Sequence, residues 1–101
     1  MGTVYLAQDD TGYYKIGYTR RDPSARVREL SVGNSTIRLV KEFQTSVGQQ
    51  LESYLHRRYA PNHVKGEWFS LTTEELAQFN TECTKFEHNV QSLREMGNPF
   101  V

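Results

Sequence analysis

Val4-Tyr5-Leu6-Ala7, followed by Gln8-Asp9-Asp10-Thr11-Gly12 and then Tyr13-Tyr14-Lys15-Ile16-Gly17-Tyr18, is the stretch on which the fold turns. Thr3 to Ala7 and Tyr13 to Tyr18 are rich in β-branched and aromatic residues, which suit a pleated, half-buried surface. The polar run between them ends in glycine and has the chemistry of a turn, so the stretch reads as a β-hairpin. Centred on Asp10, that turn sets Tyr5 opposite Lys15, with both side chains on one face of the sheet.

Downstream, Asp22-Pro23 opens a helix: Asp accepts from the orphan amides of the first turn, and proline is tolerated at the first helical position. The helix is expected to reach Leu30 or Ser31, with Val27 and Leu30 toward the core and Gly33-Asn34 ending it. Arg26 and Arg28 cannot both face inward. Ile37 to Phe43 reads as a third strand. Ser46 with Gln49 has the form of a capping box for a second helix running to about Tyr59, whose apolar stripe is Val47, Leu51, Tyr54 and Leu55. Glu52 and His56, one turn apart, share its flank.

After Pro61-Asn62 comes the short segment Lys65-Gly66-Glu67-Trp68-Phe69. Thr72 and Glu75 then form a second capping box. Leu76, Phe79, Cys83, Phe86, Val90 and Leu93 recur at alternating steps of three and four, the mark of an amphipathic helix, which Gly97-Asn98-Pro99 stops. No internal repeat, linker or low-complexity stretch interrupts the chain.

A length of 101 residues suits one domain with a modest core. Hydrophobic residues make up 37% and charged residues 24%, which is too apolar for a disordered chain. A single cysteine, Cys83, excludes an internal disulfide and a multi-cysteine zinc site. With no secretory segment at the start, an intracellular, reducing location is expected. No apolar run is long enough for a membrane span, so no membrane partner is expected. The net charge is zero, but residues 1–66 carry ten Lys or Arg against six Asp or Glu, and residues 67–101 carry two against six. Any phosphate-facing surface therefore belongs to the first two-thirds.

Val4-Tyr5-Leu6 and, ten residues on, Lys15-Ile16-Gly17 resemble the paired tripeptides of the GIY-YIG nucleases, in particular a short phage and bacterial branch with Lys-Ile-Gly as its second tripeptide. Arg26, nine residues after that glycine, is similar to the family's arginine on the first helix. Leu51-Glu52 with Leu55-His56 resembles its metal-binding glutamate helix, and Gly66-Glu67-Trp68-Phe69 its closing motif. The resemblance spans residues 3–71. It departs at Lys15, where the family's tyrosine would stand, and at the late asparagine, for which Asn62 is only a nearby candidate.

The resemblance implies a metal-dependent DNA endonuclease. Phosphodiester hydrolysis needs an activated water, a cation on the phosphoryl oxygens and help for the departing oxygen. On that reading the catalytic set is Tyr5, Lys15, Arg26, Glu52 and His56. Tyr5 orients or deprotonates the water, with Lys15 opposite it as the cation that favours phenolate. Arg26 forks onto the phosphate. Glu52 holds one magnesium or manganese ion, and His56 a water or phosphate beside it. Tyr18 and Arg20 are expected to touch the DNA backbone. Implied too are weak sequence specificity, supplied otherwise by a recognition partner or a homodimer, and the cytoplasm of a bacterium or of a phage-infected host.

The fold expected is α/β: a small, mainly antiparallel three-stranded sheet flanked by helices, in one domain of residues 1–101 with its core in 3–71 and a covering helix over 72–96. The candidate site is expected on the face away from that last helix. Plainer readings stand beside these. Arg21 and Arg28 read as a wet helix face, Glu67 as the pin of a turn, Trp68 and Phe69 as core, and Cys83 as a small buried hydrophobe. The alternative function is a catalytically silent module that binds DNA or a protein partner on the same fold.

Overall fold

The computed structural model describes residues 1–31 and 36–97. Strands β1 (Gly2–Gln8) and β2 (Tyr14–Thr19) form the expected hairpin, followed by helix α1 (Pro23–Leu30), strand β3 (Arg38–Thr45) and helix α2 (Gly48–Arg58). A 3-10 turn over Ala60–Asn62 leads into two short strands, β4 (His63–Lys65) and β5 (Trp68–Phe69), and helix α3 (Thr73–Glu95) closes the fold.

The sheet is antiparallel and has five strands in the order β3-β1-β2-β5-β4, not three. The two extra strands come from the segment around Gly66. With three and two residues they are too short to show alternation in the sequence, and they exist through ladder pairing, β5 with β2 and β4 with β5. Gly66 makes the reversal between them at φ +55, a left-handed conformation that side chains disfavour. The edges are β3 and β4.

The hairpin register is also corrected. Tyr5 stands opposite Gly17, and Lys15 opposite Ala7. The turn is centred on Thr11 rather than Asp10: the Asp9 carboxylate accepts from Thr11 N at 3.0 Å, and Gly12 N donates to Asp9 O at 3.1 Å. A shift of two residues preserves the alternation, so Tyr5 and Lys15 still share a face, as diagonal neighbours.

One face of the sheet carries the larger core, in which Val4, Leu6 and Ile16 pack with Leu51 and Leu55 of α2, Phe69 of β5, and Phe79 and Cys83 of α3. The other face carries Tyr5 and Ala7 under Val27 of α1, with Leu30, Ile37 and Leu39 around them. Gly17 has a packing reason: a Cβ built there would lie 2.5 Å from Cζ of the buried Tyr5 ring.

Helix α1 begins as expected, the Asp22 carboxylate accepting from Ser24 N at 3.2 Å; its expected stop at Gly33-Asn34 lies outside the described residues, as do Asn98 and Pro99. The Ser46–Gln49 capping box does not form. Val47 occupies the N-cap of α2 without a side-chain bond, while Thr45 Oγ1 takes the Val47 amide at 3.1 Å, so the strand end holds the chain before Ser46 can. The Thr72–Glu75 box on α3 forms in both directions. Along α3, Phe79, Cys83 and Val90 are buried, but Leu93 is exposed, beyond the end of the body the helix covers. Glu82 is buried beside them and ties α3 to α2 through Arg58 at 3.2 Å and the Tyr54 hydroxyl at 3.4 Å.

Gly17→Ala is expected to lower stability by about 1–3 kcal/mol, because the Tyr5 ring has no room to yield. Leu55→Ala should cost about 2–5 kcal/mol, and Thr72→Ala about 1 kcal/mol. Urea denaturation checks all three; a Gly17→Ala protein as stable as wild type would mean that the Tyr5 ring can leave its place.

Candidate active site

Tyr5 sits mid-strand in β1, between β2 and β3 and beneath α1, and only 1% of it is exposed. Burial pushes its phenol above the usual tyrosine range. The side-chain hydrogen bond and charge of Arg26 act the other way, and the carboxylates of Glu67 and Glu52 raise it further. The cation working on Tyr5 is thus Arg26, one turn into α1, rather than the Lys15 expected from pairing across the hairpin. Arg26 also reaches Glu29 Oε2 at 3.4 Å. Glu29 is held chiefly by the fork of Arg21, with bonds of 2.8 and 2.7 Å.

Lys15 is drawn to the opposite edge of its strand. Its ammonium pairs with Glu67, in the turn between β4 and β5. Glu52, on the flank of α2, has its carboxyl raised above the ordinary range by burial and then by the nearby charge of Glu67, while His56 and Lys15 pull it down. Tyr5, Lys15, Arg26, Glu52 and Glu67 therefore form one electrostatic group drawn from two strands, two helices and a turn. Glu67 lies in a turn near the glutamate helix, as the sequence reading has it, and the structure adds its pairing with Lys15. Its signal was the position immediately after Gly66, where a turn returns toward β2.

His56 lies beside the group, with its Nε2 spent on structure. Its ring donates from Nε2 to Ile16 O at 3.0 Å. Ile16 N is taken by Glu67 O at 3.1 Å, so His56 completes the β2 ladder where β5 ends. The ring also meets Phe69 edge-on, with centroids 5.1 Å apart. Tyr18 and Arg20 are not part of the group. The Tyr18 ring lies against Gly2 and Gly48 on the α2 side, and its hydroxyl accepts from Arg20 Nε at 3.4 Å. Arg20 borders a surface groove with Arg21, Pro23 and Gln44 that contains none of the five residues.

Among the described residues no three His, Cys, Asp or Glu side chains gather in a way that could hold a metal ion. The donor set fits an ion that keeps most of its water: Glu52 offers one hard carboxylate, as magnesium commonly uses. Cys83 offers nothing to such chemistry. Burial pushes its thiol up to about 12, so it is protonated at neutral pH, a packing group rather than a nucleophile. Among the described residues no helix is long and apolar enough to cross a membrane.

No curated protein and no solved structure matches the chain significantly. The T5orf172 domain, a phage-associated domain of the nuclease-related fold group, matches residues 2–84, which take in all five strands, α1, α2 and the first half of α3. With its central hairpin, its arginine helix and its glutamate helix all inside that match, the chain belongs to the T5orf172 domain family.

Proposed function

We propose that the chain is a metal-dependent endonuclease of the GIY-YIG type that hydrolyses phosphodiester bonds in DNA. The observation that carries this reading is the Tyr5 hydroxyl, buried beside Arg26 and within the field of two carboxylates from separate elements. Packing alone has no use for that arrangement: the charge of Glu67 adds to the cost of ionising Glu52, which is half-buried and makes no ion pair among the described residues. Perturbed groups gathered this way are characteristic of functional sites.

On this reading Arg26 leaves Glu29 and forks onto two non-bridging oxygens of the scissile phosphate, where charge develops. Tyr5, as phenolate, takes the proton of a water whose oxygen bonds to phosphorus as the bond to the leaving oxygen breaks. Burial keeps most of Tyr5 as phenol at neutral pH, so the reactive fraction is small and grows with pH. Magnesium or manganese on the Glu52 carboxylate, with water completing its shell, would supply positive charge at the leaving oxygen. His56 holds the strand edge against α2, and Tyr18 with Arg20 offers the DNA backbone a contact outside the reacting group. Sequence specificity is weak in these residues and is left to a recognition partner or a second copy of the chain.

One observation favours a second reading, a silent DNA- or protein-binding module: Tyr5 is almost wholly covered. Either kind of DNA binding should weaken as salt rises.

Purified protein is expected to nick supercoiled plasmid or cut single-stranded DNA with magnesium or manganese and not with EDTA. Arg26→Ala and Glu52→Gln should each lose about a hundredfold or more in rate. Wild type and variants equally inert on every substrate would leave the silent module as the reading. A second outcome concerns pH: between about 7 and 9 the rate should rise about tenfold per unit as phenolate forms. Tyr5→Phe must abolish that slope, and a slope that survives the substitution removes Tyr5 from the role of base.

The third concerns stability. Because the folded pKa of Glu52 lies above its unfolded value, the folded state binds more protons between those two values, and wild-type stability falls as pH rises from the one to the other. Glu52→Gln should therefore be folded and have a higher Tm than wild type at pH 7, with the difference shrinking toward pH 4. A lower Tm at pH 7 would show that the carboxylate is structural.

A further inference from the structure

Glu67 has no step in the chemistry above, yet its carboxylate meets Lys15 and its charge reaches both Tyr5 and Glu52. The pairing with Lys15 is unlike an ordinary surface ion pair, in which two long side chains wave in water and gain little. The Lys15 side chain is only 13% exposed, while Glu67 is 45% exposed. The backbone fixes both ends. Lys15 stands opposite Trp68 in the β2–β5 ladder, and Ile16 N donates to Glu67 O at 3.1 Å. Gly66, at φ +55, turns the chain immediately before Glu67 and brings the carboxylate back over β2.

Lysine is a poor residue for holding charge at one point, since four rotatable bonds separate its ammonium from the backbone. Lys15 has no step of its own above, but its charge acts on Glu52, and a charge that is to act there from one place needs an anchor. We propose that Glu67 is a positioning residue, whose carboxylate fixes the Lys15 ammonium beside Glu52 so that the charge is in place before a DNA phosphate arrives. The kinetic half of this inference rests on the nuclease reading. The placement of Lys15 does not.

The plain rival is that the pair only staples β5 to β2. The two differ in how substitutions combine. Under the proposal, Glu67→Gln, which keeps shape and removes charge, lowers kcat for plasmid nicking by about tenfold to a hundredfold and leaves KM within about twofold. In a Lys15→Met background the same change then has no further effect, because the residue it acts through is gone. Glu67→Asp, with a shorter reach, restores part of the rate if the ammonium can follow. A staple instead predicts a lower Tm from Glu67→Gln, an unchanged kcat, and equal effects in both backgrounds.

A second readout does not require cleavage. An ion-paired ammonium exchanges its protons slowly enough to give a proton–nitrogen NMR signal, which Lys15→Met assigns. That signal should be present in wild type and lost in Glu67→Gln. Its persistence in Glu67→Gln overturns the proposal, as does a Glu67→Gln enzyme as fast as wild type or one whose loss of rate is repeated in the Lys15→Met background. If wild type is inert on every substrate, the nuclease reading fails by itself; loss of the Lys15 signal in Glu67→Gln then sustains the positioning, and retention of it ends both.

Discussion

The close approach of the Tyr5 ring to Gly17 is the constraint on which the other parts depend. A tyrosine in the middle strand of a sheet can be covered on one face only if the residue across from it gives up its side chain, and Gly17 does so. With the ring laid flat, Val27 can come down on Tyr5 and Ala7, and α1 closes over that face. Its closure brings Arg26 to the phenol. The second tripeptide is thus a packing motif before it is a chemical one.

The opposite face is organised by ordinary burial, but its charges are not arbitrary. Glu82 is buried with Arg58 and Tyr54 as partners, which satisfies the carboxylate and locks α3 onto α2. Glu52 lies on the same helix α2, half-buried, and meets another carboxylate's field instead. The two glutamates show the difference between a charge placed for cohesion and a charge kept at a cost. Neighbouring elements hold the costly one: Leu51 and Leu55 fix α2, and His56 ties it to Ile16 O at the point where the β5 ladder runs out.

Much of this was legible in the sequence where local chemistry and pattern agreed. The hairpin, the Asp22-Pro23 helix start, the Thr72–Glu75 box and the α3 stripe each rest on residues a few positions apart, and each formed. What escaped depended on partners distant in the chain. The Ser46 box lost to Thr45, a residue whose place is set by pairing with β1. The register slipped by two because the Asp9 carboxylate made its own bond to Thr11 N and moved the turn. Strands β4 and β5 have no pattern of their own and exist by pairing, β5 to β2 and β4 to β5, and the link from Glu67 to Lys15, 52 positions apart, follows from the β2–β5 pairing. The grouping of Tyr5, Arg26 and Glu52 was readable only through likeness of motif, since their spacing alone places them on three unconnected elements.

The sheet ends in two unlike edges, and both are guarded against further pairing. Strand β4 is three exposed residues ending in Lys65, too short and too charged to template another strand. Strand β3 is eight residues long and would be the more dangerous edge, but Arg38, Lys41 and Glu42 interrupt it, and Asn80 of α3 donates to the Glu42 carbonyl at 3.2 Å. The long C-terminal helix therefore does more than cover apolar surface: by spending a side chain on an edge carbonyl it helps keep the sheet from growing sideways into aggregates.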